Sequence, residues 1–178
     1  MCFVAVWAIA GASATGYSPT EDAISELARS HEPTRLAMTL GFLVFGIGVF
    51  GFGLALREAT PGAAGLAAMA TGLSTLGVAA FPLGSPAMDR AHGVFAAIGY
   101  GSLTLTPLLA AGPLHRAGRR GWAWYSLVTA GVVAGCLLVS AFAARNGLWQ
   151  RAGLTAGDVW IVACAVALLR RRWVVRIP

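Results

Sequence analysis

The stretch LAMTLGFLVFGIGVFGFGLAL, residues 36–56, contains no ionisable side chain. A helix needs about 20 apolar residues to cross about 30 Å of hydrocarbon at about 1.5 Å per residue, so this stretch is long enough to span a bilayer. A shorter apolar segment precedes it, and four comparable segments follow. The six segments are residues 1–14, 36–56, 62–81, 91–112, 122–144 and 154–169. This pattern predicts an all-α, polytopic integral membrane protein built as a bundle of six transmembrane helices.

The composition indicates the same class of protein. Hydrophobic residues make up 57% of the chain and charged residues only 11%, against roughly 25% in a soluble domain. So few charges cannot cover a water-soluble globule, and we expect residues 1–178 to form a single transmembrane domain. The net charge is +6, but the arginines lie in small groups at helix ends. This placement is typical of residues that orient helices in a membrane, so we expect no nucleic-acid partner.

The first apolar segment is too short to cross a bilayer without tilting, and Ala12-Ser13-Ala14 resembles a signal-peptidase site. We nevertheless expect a first transmembrane helix, either short and tilted or cut short by a misassigned start codon at Met1. The reason is that the later loops need such a helix to acquire a consistent orientation.

The arginines predict that orientation. If the N-terminus is cytoplasmic, eight arginines lie inside and five outside, which predicts a multi-pass protein of the cell membrane with both termini in the cytoplasm. The inner arginines are Arg57, Arg116, Arg119, Arg120, Arg170, Arg171, Arg172 and Arg176. All the carboxylates except Glu58 then lie outside, as do two of the three histidines. This asymmetry favours a shared polar site on the outer face; the alternative is that these residues are ordinary solvated loop charges.

The first outer loop contains a helix signal. Residues 18–21, Ser-Pro-Thr-Glu, have the spacing of a capping box. Ile24, Leu27 and Ala28 follow at helical spacing, which predicts a short amphipathic helix on the outer surface. Glu21 then has a structural role as part of the cap. Glu26 has no such role, which makes it the better functional candidate.

Asp89 and His92 lie three residues apart at the start of the fourth helix and therefore share a face. The functional interpretation is a pair that binds a ligand or handles protons, together with Glu26. The alternative is that Asp89 stabilises the helix N-terminus while His92 forms a hydrogen bond inside the bundle. We keep both interpretations for His92, because ionisable groups inside membranes are functional candidates by default.

The third outer loop, residues 145–151, combines Trp149, Gln150 and Arg151. Trp149 is typical of an interfacial anchor. Arg151 is suited to pair with an outer acid or to hold an anionic head group. Asp158 follows about one turn inside the sixth helix and needs a partner, for which Arg151 and Arg145 are the candidates. The predicted ligand-binding residues are thus Glu26, His92, Trp149, Gln150, Arg151 and Asp158.

Several motifs carry less information. The segment GIGVFG, residues 46–51, matches a dinucleotide-binding fingerprint but lies inside an apolar helix, so we interpret its glycines as packing residues. Gly131 and Gly135 form a small-xxx-small motif that predicts a helix contact, either inside the bundle or with a partner protein or second copy. The three cysteines show no metal or disulfide spacing. We expect no cofactor and no metal, although a mixed carboxylate–histidine site stays open.

Short motifs also resemble those of a known family. They are Gly16-Tyr17-Ser18-Pro19, Ile24-Ser25-Glu26-Leu27, Phe81-Pro82, His92-Gly93 and Gly147-Leu148-Trp149-Gln150-Arg151. This pattern resembles an uncharacterised bacterial and archaeal membrane family, catalogued as domain of unknown function 998, from about Gly16 to the end of the sixth helix. The resemblance implies a membrane topology and no activity. Members of the family usually carry a full-length first helix.

Three functions fit these observations. The leading one is binding of a lipid or small amphiphile at the polar outer site, with membrane lipids as the expected partners. The second is a membrane-embedded enzyme acting on a lipid-linked substrate, in which Glu26 and His92 are the acid and base and Asp89 orients them. The third is a structural or assembly subunit that docks a partner through its glycine-rich helix faces.

Overall fold

The computed structural model describes residues 2–170, and within that range the chain is entirely helical, without a strand. The α-helices are α1 Cys2–Ser13, α2 Arg35–Ala59, α3 Ala64–Ala80, α4 Pro86–Arg116, α5 Arg120–Ser140 and α6 Asn146–Leu169. A short 3-10 helix, Ile24–Ala28, lies between α1 and α2. Arg171, Arg172 and Arg176, which we assigned to the inner face, lie outside the described residues.

Four helices, α2, α4, α5 and α6, are long and apolar enough to cross a membrane. Helices α1 and α3 are apolar but shorter, with 12 and 17 residues. Large apolar side chains such as Leu36, Ile47 and Val128 point away from the bundle and are more than half exposed. An outward-facing apolar surface suits hydrocarbon rather than water, and together with the long apolar helices it indicates a membrane-embedded protein.

Neighbouring helices are antiparallel, and α2 and α3 approach most closely along four glycines. We call Gly46, Gly53, Gly65 and Gly72 the glycine seam. A Cβ atom added to Gly72 would lie 2.6 Å from both the carbonyl oxygen of Gly46 and the amide nitrogen of Phe50. The two backbones therefore touch directly, as small residues permit in membrane helices. Gly46 has the packing role predicted for the GIGVFG segment.

Other glycines of these motifs face outward. A Cβ atom on Gly48 or Gly51 would have no described atom within 4 Å. The same is true of Gly131 and Gly135 on α5. The small-xxx-small motif on α5 therefore makes no contact within residues 2–170, and its predicted helix contact is not one inside this bundle.

Three connections meet at one end of the bundle, which we call the loop face: residues 14–34, 81–85 and 141–145. The amide and hydroxyl groups of Ser30 both donate to the carbonyl of Leu83, at 2.9 and 3.0 Å. At the start of α6, the amide of Leu148 donates to the carbonyl of Thr20 at 2.9 Å. The first connection thus lies across the ends of the helices and contacts the second connection and the start of α6.

The predicted capping box does not form. The carbonyl of Ser18 accepts hydrogen bonds from the amides of Glu21 and Asp22, and the carboxylate of Asp22 accepts one from the amide of Ser18 at 2.7 Å, which closes a turn. An α-helix beginning at Pro19 would need carbonyls that are already bonded to α6. These are the carbonyls of Pro19, Thr20, Glu21 and Asp22. Only the later 3-10 helix forms, and it buries Ile24, Leu27 and Ala28.

The predicted third loop is also shorter than expected, because α6 already begins at Asn146. The polar residues of the segment suggested a loop, whereas Gln150 and Arg151 are buried helix residues. Their polar groups are satisfied by tertiary contacts, so polarity there does not mark solvent exposure. As a consequence, Asp158 lies three turns inside α6 rather than one.

Candidate functional site

Arg151 fastens the first connection to α6. Its side chain is only 8% exposed. The Nη1 atom donates to the carbonyl oxygens of Pro19, Asp22 and Gly147, at 2.6, 2.9 and 3.0 Å. Charge-assisted hydrogen bonds of this kind are stronger than neutral ones. The guanidinium is therefore engaged with backbone carbonyls, and it pairs with no acid among residues 2–170.

Two aromatic rings complete the surroundings of Arg151. The guanidinium carbon lies 5.2 Å from the centre of the Trp7 ring and 5.4 Å from that of Tyr17, within the range of cation–π attraction. The Nη2 atom donates to the hydroxyl of Tyr17, which in turn donates to the carbonyl of Ala23 at 3.1 Å. Burial raises the pKa of Tyr17 above its ordinary value of 10.0, outweighing the opposing effect of Arg151. Tyr17 therefore stays a neutral phenol at physiological pH.

Gln150 links the same connection to α4. Its Oε1 atom accepts a hydrogen bond from the amide of Ile24 at 2.8 Å, and its Nε2 atom donates to the hydroxyl of Tyr100 at 2.5 Å. Gln150 is buried, so both halves of its amide are satisfied away from water. The first connection is thus bonded to two successive residues of α6, Gln150 at the 3-10 helix and Arg151 at the residues before it.

A cavity of about 70 Å³ lies beneath the 3-10 helix, inside the half of the bundle near the loop face. We call it the loop-side cavity. Its lining comes from α1, α2, α3, α4, α6 and the 3-10 helix, and is mainly apolar and aromatic. The lining residues are Phe3, Ile24, Ser25, Phe42, Phe45, Thr71, Thr75, Val78, His92, Phe95, Ala96, Gly99, Tyr100, Leu103, Gln150 and Leu154.

His92 and Tyr100 supply hydrogen-bonding groups to this cavity. The Nδ1 atom of buried His92 lies 2.9 Å from the carbonyl oxygen of Phe81. A carbonyl only accepts, so we assign the proton to Nδ1. The Nε2 atom then has no protein partner among the described residues. The hydroxyl of Tyr100 accepts from Gln150, which leaves its own proton to donate. One acceptor and one donor thus remain for a ligand.

Glu26 lies elsewhere. Its Oε2 atom accepts from Nε and Nη2 of Arg29, at 2.7 and 2.5 Å, and this pair raises the pKa of Arg29. Glu26 lines a separate depression on the loop face, together with Asp22 and Glu32. The structure therefore does not bring Glu26, His92 and Arg151 into one pocket. The acid–base pair needed by the enzyme alternative is not assembled.

The remaining predicted residues have local roles or no partner. Asp89 is exposed, and its Oδ1 atom accepts from the amide of Gly84 at 2.9 Å, so it stabilises the turn before α4. Trp149 is partly exposed at the loop face. Asp158 is 3% exposed and its Oδ1 atom has no hydrogen-bond partner in the described chain. Neither Arg145 nor Arg151 pairs with it there.

Two tyrosines near the predicted site residues were not identified from the sequence. Tyr17 and Tyr100 received no role, although each bonds a predicted site residue. Tyr17 belongs to one of the short motifs that resemble the family, so the sequence contained a signal for its importance.

Within residues 2–170, no three His, Cys, Asp or Glu side chains come close enough to hold a metal ion. The side chains of a mixed carboxylate–histidine site are therefore not brought together there.

Comparison with known proteins identifies a family. The family model described as Protein of unknown function (DUF998) matches residues 1–167. No curated protein and no solved structure matches the chain. The match covers nearly the whole chain and includes Tyr17, Gln150 and Arg151, which hold the first connection in place. The resemblance seen in the short motifs is thereby confirmed, and the chain belongs to the DUF998 family of proteins of unknown function.

Proposed function

We propose that this protein binds the end of a lipid chain or a small amphiphile in the loop-side cavity. The observation that carries the proposal is the composition of that cavity. Rings of Phe42, Phe45 and Phe95 line it, while Nε2 of His92 and the hydroxyl of Tyr100 remain for hydrogen bonding. Apolar walls with a few placed polar groups are typical of small-molecule sites.

The lining also limits the ligand. No Asp, Glu, Lys or Arg lines the cavity, so the bound group is neutral, since burying a charge without a partner is strongly unfavourable. The volume of about 70 Å³ is well below the roughly 300–1,000 Å³ of sites for drug-sized molecules. The occupant is therefore a short molecule, or the end of a longer one whose remainder lies among the surrounding lipids.

We further propose that all six helices cross the cell membrane, with the loop face outside and both termini in the cytoplasm. Helix α3 lies between α2 and α4 and is antiparallel to both, which supports a crossing by this shorter helix. The end opposite the loop face carries Arg57, Arg116, Arg119 and Arg120, and arginine-rich ends favour the cytoplasm. The loop-side cavity then lies in the outer half of the bilayer.

A matched pair of alanines on α4 tests the cavity. Ala96 lines it, whereas its neighbour Ala97 is exposed on the outer surface of the same helix. Ala96→Leu fills part of the cavity, and Ala97→Leu adds the same volume toward lipid. Both proteins, and the wild type, are purified in a mild detergent and analysed by native mass spectrometry for a retained amphiphile.

We expect a stoichiometric adduct on the wild type and on Ala97→Leu, and its loss from Ala96→Leu. His92→Phe removes the acceptor in the cavity and should weaken retention without filling the space to the same degree. A wild-type protein without any retained adduct contradicts the proposal, as does an adduct that survives Ala96→Leu unchanged.

A further inference from the structure

We propose a second lipid site, for an anionic phospholipid, in a groove between α4 and α5 at the end of the bundle opposite the loop face. The groove has a volume of about 420 Å³. Leu108, Gly112, His115 and Arg116 of α4 line one side, and Trp124 and Leu127 of α5 line the other. It shares no lining residue with the loop-side cavity, so this proposal is independent of the one above.

Small residues create the groove. Ala111 and Ala123 are buried at its floor, where larger side chains would fill it. Gly112 is exposed, and a Cβ atom there would meet only Nη1 of Arg116, at 3.5 Å. The guanidinium of Arg116 thus lies above the missing side chain, at the end of the groove. Because Gly112 has no side chain, the space between this guanidinium and the apolar walls of the groove is open.

Where α4 ends and α5 begins, the charged side chains of the described residues are all basic, and the exposed carboxylate at this end of the bundle, Glu58, lies on α2. His115 and Arg116 end α4, and Arg119 and Arg120 follow immediately. The sequence between Asp89 and Asp158 contains no carboxylate, so α5 carries no acid and the only acid on α4 is Asp89, at the other end of that helix. Within residues 2–170, the side chain of Arg116 forms no ion pair or hydrogen bond. Its exposed donors therefore favour an anion supplied from outside the chain.

The opposite end of the groove is apolar, and its length fits a lipid. Leu108 and Arg116 are eight residues apart on α4, or about 12 Å at about 1.5 Å per residue. Leu108, Leu127 and the 66% exposed ring of Trp124 form walls for an acyl chain. Arginine binds phosphate oxygens through paired N–H donors. A phospholipid with its phosphodiester at Arg116 and its acyl chain along the apolar walls matches both ends of the groove. The positive charge at the Arg116 end favours anionic over zwitterionic head groups.

The head-group part is tested by lipid titration. Delipidated protein in detergent is mixed with dioleoyl phosphatidylglycerol or dioleoyl phosphatidylcholine, and bound lipid is counted by native mass spectrometry. We expect the wild type to prefer phosphatidylglycerol severalfold. Arg116→Gln should lower the phosphatidylglycerol affinity about fivefold, the effect of one arginine near a charged lipid surface. Arg90→Gln, an exposed arginine at the other end of α4, should leave it unchanged.

The groove itself is tested with two exposed glycines of α4. Gly112→Leu fills the groove, whereas Gly101→Leu adds the same side chain where a Cβ atom would meet no described atom within 4 Å. We expect Gly112→Leu to lose phosphatidylglycerol binding and Gly101→Leu to keep it, each with a wild-type unfolding midpoint. Equal binding of the two lipids by the wild type would overturn the proposal, as would equal losses in Arg116→Gln and Arg90→Gln or full binding by Gly112→Leu. Ala96→Leu should not affect this binding, so the two proposed lipid sites can be refuted independently of each other.

Discussion

The glycine seam between α2 and α3 gives the sharpest prediction about stability. In Gly72→Ala, the new Cβ atom lies 2.6 Å from two backbone atoms of α2, the carbonyl oxygen of Gly46 and the amide nitrogen of Phe50. Ordinary van der Waals contact begins at 3.4 Å. The two helices must therefore separate by about 0.8 Å at this point. Both neighbours are backbone atoms, so no side-chain rotation can relieve the contact. Overpacking of this kind typically costs about 1–3 kcal/mol.

Gly51→Ala is the matched control. Gly72 lies on α3 and Gly51 on α2, and a Cβ atom added to Gly51 would meet no described atom within 4 Å. Alanine is favoured over glycine inside helices by about 0.5–1 kcal/mol, so this variant should be as stable as the wild type or slightly more stable. The two substitutions add the same methyl group to the same helix pair, and we expect effects of opposite sign.

The assay is thermal unfolding in detergent, followed with a thiol-reactive dye that reports exposure of the buried thiol of Cys164. For a chain of this size, about 1 kcal/mol corresponds to roughly 2–4 °C in the midpoint. Gly72→Ala should therefore unfold roughly 2–12 °C below the wild type, and Gly51→Ala at or above it. Equal midpoints for the two variants would refute direct backbone contact along the seam.

Three further predictions concern the loop face. Arg151→Met removes the donor to three backbone carbonyls and should lower the free energy of unfolding by about 3 kcal/mol or more; Arg145→Met, at an exposed position, should have little effect in the same thermal assay. Gln150→Leu leaves the amide of Ile24 without its acceptor, costs about 1–3 kcal/mol, and should speed hydrogen exchange in the 3-10 helix; unchanged exchange would contradict this role. The pKa of Tyr17 is raised above 10.0 in the fold, so its stabilisation is complete below pH 10 and is lost as the pH rises through the folded value. The unfolding midpoint of the wild type should thus fall more steeply above pH 10 than that of Tyr17→Phe.

The sequence predicts the helices well because their signal is local. Apolar segments of sufficient length predicted the positions of α2 and α5. The spacing of Ile24, Leu27 and Ala28 predicted that they share one face of a surface helix, and the structure buries all three in a 3-10 helix. The boundaries were less predictable where polar residues stay inside a helix. Helix α6 begins at Asn146 because Gln150 and Arg151 find partners in a distant connection.

The candidate site was harder to predict, for a physical reason. The three main partners of Arg151 are backbone carbonyls, which every residue carries, so no side chain in the sequence marks them. The charge asymmetry suggested that Arg151 would face an acid or a head group. The loop-side cavity depends on side chains from five α-helices and the 3-10 helix, and their mutual placement follows from packing that a single sequence does not reveal.

The contact between Arg151 and Pro19 also constrains the order in which the protein can be completed. The two residues are separated by 132 positions. At a synthesis rate of about 5–20 residues per second, Pro19 is synthesised roughly 7–26 s before Arg151. During that interval the first connection lacks the donor of Arg151 and cannot adopt its final conformation. Its final conformation is therefore a late event in biogenesis, and a nascent chain interrupted before α6 would leave the loop face open to proteases and quality-control factors.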